Sequence, residues 1–162
     1  MNQRQTAPTR ETIEQLLRQA KDGQPLDLSE RDLSGLDLAG LDLSGVNLAG
    51  ASLVRAQLRG ANLSRANLAN ANLSLADCRA ANFREARLNG ANLEATILAS
   101  ANLRSAHLEE CRLEGTDFEN ARLEGTRLYA ALLSDEGKQR LEGRGALGLE
   151  QTISIDHLAG NI

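Results

Sequence analysis

The sequence predicts an all-β solenoid in which the chain turns a corner every five residues. Leu, Phe or Cys stands at every position whose number ends in 3 or 8, from Leu28 to Leu133, which makes 22 consecutive repeats. Two residues before each of these positions stands a second small or apolar residue, and Arg31 is the one clear exception. Neither a 3.6-residue helix nor a straight strand keeps both positions facing one interior at this period. The chain must therefore bend after each repeat.

The residues at the expected corners support this interpretation. Glycine and asparagine tolerate turn conformations that branched side chains do not. They recur two residues after the central apolar residue, at Gly35, Gly40, Gly45, Gly50, Gly60, Gly90, Gly115, Gly125, Asn70 and Asn120.

One five-residue pattern recurs within the repeats. It reads Ala-Asn-Leu followed by two variable residues, as at Ala61-Asn62-Leu63, Ala66-Asn67-Leu68, Ala71-Asn72-Leu73, Ala91-Asn92-Leu93 and Ala101-Asn102-Leu103. This pattern resembles the A(D/N)LXX consensus of the pentapeptide-repeat family, which has many bacterial and cyanobacterial members. The resemblance implies a right-handed, four-sided β-helix with four repeats to a coil, and hence about 5.5 coils for the 22 repeats.

Residues 1–25 predict a short helix that covers the open first coil of the β-helix, residues 26–133. Thr9 is placed to cap this helix, and Gly23 and Pro25 are placed to end it. The apolar face of the helix consists of Ile13, Leu16, Leu17 and Ala20. An open coil exposes apolar side chains and unpaired backbone, so we expect a cover here rather than a helix that binds a partner.

Residues 134–162 form a tail outside the repeat. Ser134, followed by Asp135 and Glu136, predicts the start of a short helix that includes Leu141. The tail either folds back over the last coil or crosses to a second molecule, as the C-terminal ends of gyrase-protecting family members do. A monomer and a C-terminally mediated homodimer both remain open. The candidate C-terminal interface, in which we expect Tyr129 and Leu132 to be covered, consists of Tyr129, Leu132, Ile153, Ile155 and Leu158.

Composition argues against several classes of protein. The net charge is −4, without the basic excess of a nucleic-acid-binding domain. No apolar run approaches the ~20 residues that span a bilayer, and no signal-peptide pattern is present, so we expect a cytoplasmic protein without a membrane contact. Cys78 and Cys111 are predicted to be buried small hydrophobic residues. His107 and His157 are the only histidines, and neither belongs to an evident triad, so we expect no enzyme, metal or cofactor.

The carboxylates and amides of the repeats have a structural interpretation. The aspartates of the first coil fall one on each side and form a ring rather than a metal site: Asp27, Asp32, Asp37 and Asp42. A second ring lies near the other end, with Arg112, Arg122 and Arg127 interleaved to neutralise it: Glu109, Glu114, Glu119 and Glu124. Stacked asparagines predict two hydrogen-bonded ladders, Asn62 with Asn82 and Asn102, and Asn72 with Asn92.

Two surface features are less expected from packing alone. Arg59 stacks below Arg79, and Arg84 below Arg104, so like charges align where opposite charges would be favoured. We define a candidate binding patch for an acidic partner as Arg55, Arg59, Arg65, Arg79, Arg84 and Arg104. We also define a candidate apolar docking stripe, the outward-facing residues Val54, Leu75 and Ile97. Solvated arginines and scattered aliphatic residues are the ordinary alternatives.

Three functions fit these observations. The favoured one is a non-catalytic interaction or scaffold module whose flat faces bind an unknown protein partner. The family resemblance implies a second, a DNA mimic that inhibits or protects a type II topoisomerase such as DNA gyrase. Such a mimic needs a continuous anionic face, whereas the carboxylates here form rings. The third is a structural protein without a specific partner.

Overall fold

The computed structural model describes residues 8–20 and 24–157. Its regular elements are helix α1 (Arg10–Gln19), strand β1 (Leu132–Leu133), helix α2 (Asp135–Leu141) and strand β2 (Ile153–Ser154). Two 3-10 turns, Leu149–Gln151 and Ile155–His157, lie in the tail. Between α1 and β1 the chain forms a continuous series of parallel bridges rather than long strands.

These bridges have a constant register of 20 residues. Asp27 pairs with Asn47, Asn47 with Asn67, and the series continues as far as Arg112 with Leu132. The N–H of Leu28 donates to the carbonyl of Asn47 at 2.7 Å, and the N–H of Asn47 donates to the carbonyl of Leu26 at 2.9 Å. Each coil therefore contains 20 residues and has four sides, each with one bridge.

Coils and faces are named from this register. Coil 1 is residues 26–45, coil 2 is 46–65, coil 3 is 66–85, coil 4 is 86–105 and coil 5 is 106–125. The faces are named by their residues in coil 1: face 1 is 26–30, face 2 is 31–35, face 3 is 36–40 and face 4 is 41–45. Residues 20 positions apart lie in one column on the same face.

Every corner from residue 30 to residue 130 has a positive φ. Eight of these corners are glycine, and the other 13 include Leu75 at φ 61° and Arg55 at φ 57°. A hydrogen bond closes nearly every corner, as from the N–H of Ala56 to the carbonyl of Leu53 at 2.9 Å. The left-handed conformation costs a residue with a Cβ about 1–2 kcal/mol. The ladder of backbone bonds therefore imposes a conformation that the local sequence does not favour.

The interior is filled by the central side chains of the repeats, as the sequence predicts. Phe83 and Cys78 are fully buried, whereas Phe118 is only partly buried because no coil follows it on face 3. Thr96 and Thr126 are also fully buried, and their hydroxyls donate to the carbonyls of Leu73 and Leu103, each at 2.7 Å. Buried hydroxyls are satisfied by bonds of this kind.

Helix α1 packs on coil 1. Thr9 is its N-cap, as predicted, and accepts a hydrogen bond from the N–H of Thr12. Ile13 is fully buried in the core, and Leu16 and Leu17 pack against it. The predicted helix end at Gly23 and Pro25 is wrong, since the helix ends at Gln19. Ala20 leaves the helical conformation with ψ 125° and is exposed instead of joining the apolar face.

The described part of the tail folds back on the last coil of its own chain. Leu147 pairs with Arg127 at the 20-residue register, and β2 pairs with β1 in parallel, Leu132 with Ile153. Ser134 caps α2, as predicted, by accepting from the N–H of Gly137 at 3.0 Å. The tail thus adds one more parallel backbone pairing on face 1 and one on face 2, although its sequence lacks the five-residue pattern.

Candidate interaction surfaces

Asparagine ladders occupy part of the outer surface. The predicted ladder on face 4 is confirmed, because the amide of Asn102 donates to Asn82 at 3.2 Å and that of Asn82 to Asn62 at 3.0 Å. The ladder predicted for Asn72 and Asn92 is wrong. Their side-chain oxygens accept from backbone N–H groups two residues later, at 3.0 and 2.9 Å, and no bond joins the two amides.

A ladder that the sequence analysis missed lies on face 1. Asn67 donates to Asn47 at 2.9 Å, and Asn47 donates to Asp27 at 2.9 Å. The face 4 ladder likewise ends on Asp42. Each carboxylate can only accept, so it terminates a column of amides that all donate toward coil 1.

The aspartate ring of coil 1 closes turns. In Asp32, as in the other three, one carboxylate oxygen accepts from the N–H two residues later, here Ser34 at 3.0 Å. Hydrogen bonds from Ser29, Ser34 and Ser44 are the main cause of the lowered pKa values of Asp27, Asp32 and Asp42. Within residues 8–20 and 24–157, no cluster of three or more His, Cys, Asp or Glu could hold a metal ion.

The six arginines of the candidate patch are spread over two faces and two corners. Arg59 and Arg79 lie on face 3, and Arg84 and Arg104 lie on face 4. The corner between faces 2 and 3 holds Arg55, and the corner between faces 4 and 1 holds Arg65. The structure therefore does not gather them into one surface.

Four of these arginines have carboxylate partners. Both Arg65 and Arg84 contact Glu85, at 2.8 and 3.0 Å. Arg79 contacts Asp77 at 2.5 Å, and Arg104 contacts Glu124 at 2.8 Å. The hydrogen bond from Arg104 lowers the pKa of Glu124 to about 2. Among the described residues, no carboxylate lies within ion-pair distance of Arg55 or Arg59, both of which belong to coil 2.

The apolar stripe follows the edge between faces 2 and 3. Leu75 is 48% exposed at the corner of coil 3, and Ile97 is 36% exposed on face 3 of coil 4. Val54, on face 2 of coil 2, is half-buried. In the corner column, Leu75 lies between Arg55 below and Ala95 above.

The upper end of this edge is acidic. Glu114, Asp117 and Glu119 of coil 5 are exposed and form no ion pair within the described part of the chain. The expected neutralisation of the glutamate ring is therefore wrong for Glu114 and Glu119. Arg112 contacts Glu94 at 2.5 Å instead, because an arginine on an outward strand position reaches the coil below.

The candidate C-terminal interface is only partly exposed. Tyr129 and Ile153 are each 43% exposed, while Leu132 and Ile155 are half-buried, and Leu158 lies outside the described residues. Tyr129 was expected to be covered but remains 43% exposed, and its ring lies so close to Gly148 that a Cβ there would clash with it. Leu147, which the sequence analysis missed, is 47% exposed on the same face.

A column of basic side chains on face 1 was also missed. Arg87 of coil 4 is bridged to His107 of coil 5, and His107 is bridged to Arg127, which follows coil 5. Glu109 lies beside the upper two, 3.5 Å from Nδ1 of His107 and 3.8 Å from Arg127. The sequence signal was present, since these residues are 20 positions apart.

A groove of about 740 Å³ lies between coil 5 and α2. Phe118, Leu133 and Leu141 form its apolar lining, and Glu136 contacts Arg140 at 2.5 Å on its rim. Neither cysteine opens into it. Burial raises the pKa of the Cys78 thiol and raises that of Cys111 to about 12, as expected for inert structural thiols. His157 lies in the last described turn, and nothing further follows from its position.

The geometry defines a four-sided parallel β-solenoid with a helix packed against each end. Two family models match the sequence of the chain. Pentapeptide repeats (8 copies) match residues 27–65, and the pentapeptide repeat region matches residues 61–135. The chain belongs to the pentapeptide-repeat family. Membership implies a right-handed β-helix.

Solved structures of several family members resemble the chain. The pentapeptide repeat protein Rfr23 from the cyanobacterium Cyanothece 51142 is 39% identical, with a TM-score of 0.52, over 52% of this chain and 58% of Rfr23. HetL, a pentapeptide repeat protein involved in heterocyst differentiation regulation from the cyanobacterium Nostoc sp. strain PCC 7120, is 30% identical, with a TM-score of 0.46, over 78% of this chain and 66% of HetL.

A trypsin-treated form of QnrB1, a plasmid-mediated fluoroquinolone resistance protein, is 27% identical, with a TM-score of 0.40, over 67% of this chain and 58% of QnrB1. The match thus spans less than two thirds of the length of Rfr23 and of HetL. No curated protein matches the chain. In the described residues, no helix is both long enough and apolar enough to cross a bilayer.

Proposed function

We propose that the protein is a non-catalytic interaction module in which the apolar stripe binds a protein partner. The observation that carries this proposal is the conformation of Leu75. Leu75 has φ 61° and is 48% exposed, and among the corners from residue 30 to residue 130 it is the one that carries a large aliphatic side chain. A bulky residue in this conformation is strained and gains little from burial, so its presence supports a role outside folding.

The neighbours of Leu75 also support docking. Ile97 lies on the next coil and adds a second exposed aliphatic side chain, while Val54 extends the stripe downward. Backbone bonds to the coils above and below hold the residues at this edge. A partner that covers the stripe would therefore bury apolar surface without ordering a loop, which reduces the entropic cost of association.

The arginines are a weaker candidate for the site. Arg65, Arg79, Arg84 and Arg104 already contact carboxylates, so an acidic partner would have to replace these contacts. The cations of faces 1 and 4 also interrupt any continuous anionic surface, which argues against DNA mimicry. We infer no direct contact with nucleic acid, and we retain the cytoplasmic location as a prediction.

We further infer that α1 and the tail act as covers for a prism of about 5.5 coils. Tyr129, Leu147 and Ile153 leave apolar surface at the C-terminal end, so a second copy bound there is the alternative mode of association.

Capture from a lysate of the native host tests the stripe. The bait carries Leu75→Gly and Ile97→Asn, which remove the exposed aliphatic side chains and relax the corner. We expect a partner retained by the unmodified bait to be lost, while an Arg84→Glu, Arg104→Glu bait, altered on face 4, retains it. Equal capture by the stripe variant and the unmodified protein would disprove the assignment. Circular dichroism would establish that both variants are folded.

A further inference from the structure

We propose that a second copy of this chain binds face 3 and its edge with face 2, antiparallel to the first. This inference rests on the proposed function and names the partner of the apolar stripe. A twofold axis that crosses face 3 between coils 3 and 4 would bring coil 2 opposite coil 5 of the partner, and coil 3 opposite coil 4. Such an interface is isologous, because each column meets the same column of the other copy.

The charges of face 3 are complementary under this symmetry. Arg59 on coil 2 opposes Glu119 on coil 5, since both occupy the outward position after the central residue. Arg55, also on coil 2, lies at the edge that meets the acidic group of Glu114 and Asp117. Within the described chain, none of these residues has an ion-pair partner. In the dimer, the arginines of coil 2 in one copy would therefore face the carboxylates of coil 5 in the other, at both ends of the interface.

Side-chain sizes on the edge are complementary in the same way. Leu75 on coil 3 opposes Ala95 on coil 4, and Arg55 on coil 2 opposes Gly115 on coil 5. On face 3, Arg79 opposes Ala99, again with the larger residue on coil 3. A large side chain opposite a small one allows two rigid surfaces to approach closely.

At the remaining positions of the face, each charge is either paired within its own copy or opposed by a side chain that can donate to it. Asp77 opposes Ile97, but its carboxylate already contacts Arg79 at 2.5 Å, so the two charges enter the interface as a pair. Gln57 opposes Asp117 and can donate to it. The far corner of the face is small in every coil involved, with Gly60, Ala80, Ser100 and Asn120.

The size of the face predicts a weak, salt-sensitive dimer. Four coils at a spacing of about 4.8 Å give a contact about 20 Å long. One narrow face of this length buries less than the roughly 1,200–2,000 Å² of a stable interface. Ion pairs at its rim are screened as the ionic strength rises. We therefore expect association in the micromolar range at low salt and dissociation at about 1 M salt.

Sedimentation velocity of the full chain tests the proposal, from about 5 to 500 µM at low salt. The mass should rise with concentration from 17.4 kDa toward twice that value. Arg59→Glu and Glu119→Arg should each weaken dimerisation at least about tenfold, because each places like charges opposite one another. The double variant should restore it. Arg87→Glu, on face 1, is the matched control and should leave dimerisation unchanged.

Three results would overturn the proposal. A monomer at every concentration would exclude the dimer, whereas the proposed function would still be judged by lysate capture with the stripe variant. Failure of the double charge exchange to restore association would exclude this antiparallel pairing. A dimer that is insensitive to Arg59→Glu and abolished by Leu147→Asp with Ile153→Asp would place the interface at the C-terminal end instead.

Discussion

The two ends of the β-helix differ in how the apolar core and the unpaired backbone of the terminal coil are covered. At the first coil, α1 covers the core with Ile13 and places no strand on the ladder. At the last coil, the tail continues the ladder on faces 1 and 2, and α2 adds Leu141, which is 2% exposed. One end therefore depends on side-chain packing alone, and the other combines packing with backbone pairing.

At each end, a single arginine donates hydrogen bonds to backbone carbonyls of the terminal coil. Arg10 donates to the carbonyls of Asp37 and Ala39, each at 3.2 Å. Arg144 donates to the carbonyls of Phe118 and Ala121, at 3.1 and 2.6 Å. A guanidinium has several donors in one plane, so it can satisfy ladder carbonyls that have no strand beyond them, here those of Asp37, Ala39 and Ala121. The carbonyl of Phe118 also accepts the corner bond from the N–H of Ala121. Side chains from short segments thus replace a ladder at its ends.

The largest expected loss of stability comes from truncating the two buried side chains at the ends, Ile13 and Leu141. Ile13→Ala should lower the free energy of unfolding by about 3–4 kcal/mol, within the range for buried aliphatic residues. Leu141→Ala should cost about 2 kcal/mol, near the lower end of that range, because the backbone pairing of the tail remains. Urea unfolding followed by far-UV circular dichroism measures both. An equal or larger loss for Leu141→Ala would show that the tail pairing contributes little.

A smaller effect is expected from the two arginines. Arg144→Met should destabilise the protein by about 2 kcal/mol, because it removes the donor to the partly buried carbonyl of Ala121. The carbonyl of Phe118 keeps its bond from the N–H of Ala121 at 3.0 Å. Arg10→Met should cost about 1 kcal/mol, since one of its bonds is exposed to water. Lysine at either position is the control, because it keeps the charge but not the planar pair of donors. Comparable losses for Met and Lys would support the role of geometry; full rescue by Lys would contradict it.

The smallest effect concerns acid. The pKa of Asp32 is lowered by its bonds with Ser34, and that of Glu124 is about 2. A carboxyl group whose folded pKa is lowered stabilises the fold above its ordinary pKa, and this stabilisation is lost as the pH falls through the folded value. Both ends should therefore weaken between about pH 4.5 and pH 2.

Asp32→Asn provides the matched variant for the acid titration. Asparagine keeps the oxygen that accepts from Ser34, so stability near neutral pH should change little, while part of the pH dependence should disappear. Urea midpoints across this pH range measure the slope. NMR titration of the carboxyl carbons should show Glu124 titrating at a lower pH than a free glutamate. An unchanged slope in the variant would contradict the role of Asp32.

The fold was largely predictable because each side of a coil repeats the same two inward positions. The corners were less so. Leu75 and Ala80 do not favour positive φ, yet they adopt it because pairing to the coils above and below fixes the backbone on both sides. The sequence left the path of the tail open between folding back and crossing to a second molecule. Gly148 is buried at the position where a repeat would carry leucine, so the repeat pattern ends although the 20-residue pairing continues to Leu147.

The candidate surfaces were only partly predictable. The register places Leu75 near Ile97, and this part of the stripe follows from the sequence. Ion pairing does not follow from the register alone, because a long side chain can reach along a coil, as Arg79 does, or to the next coil, as Arg65 and Arg104 do. The charges that remain available on face 3 could therefore be identified only from the arrangement of side chains.

The 20-residue register also determines how a chain of this kind can change in length. Duplication of one whole coil would lengthen the prism and leave every later residue on its original face. Duplication of a single five-residue repeat would keep the core intact but rotate all later columns by a quarter turn, so Asn82 would no longer lie above Asn62. Insertion of one residue would exchange inward and outward positions. Length variation that preserves a surface should therefore occur in steps of 20 residues.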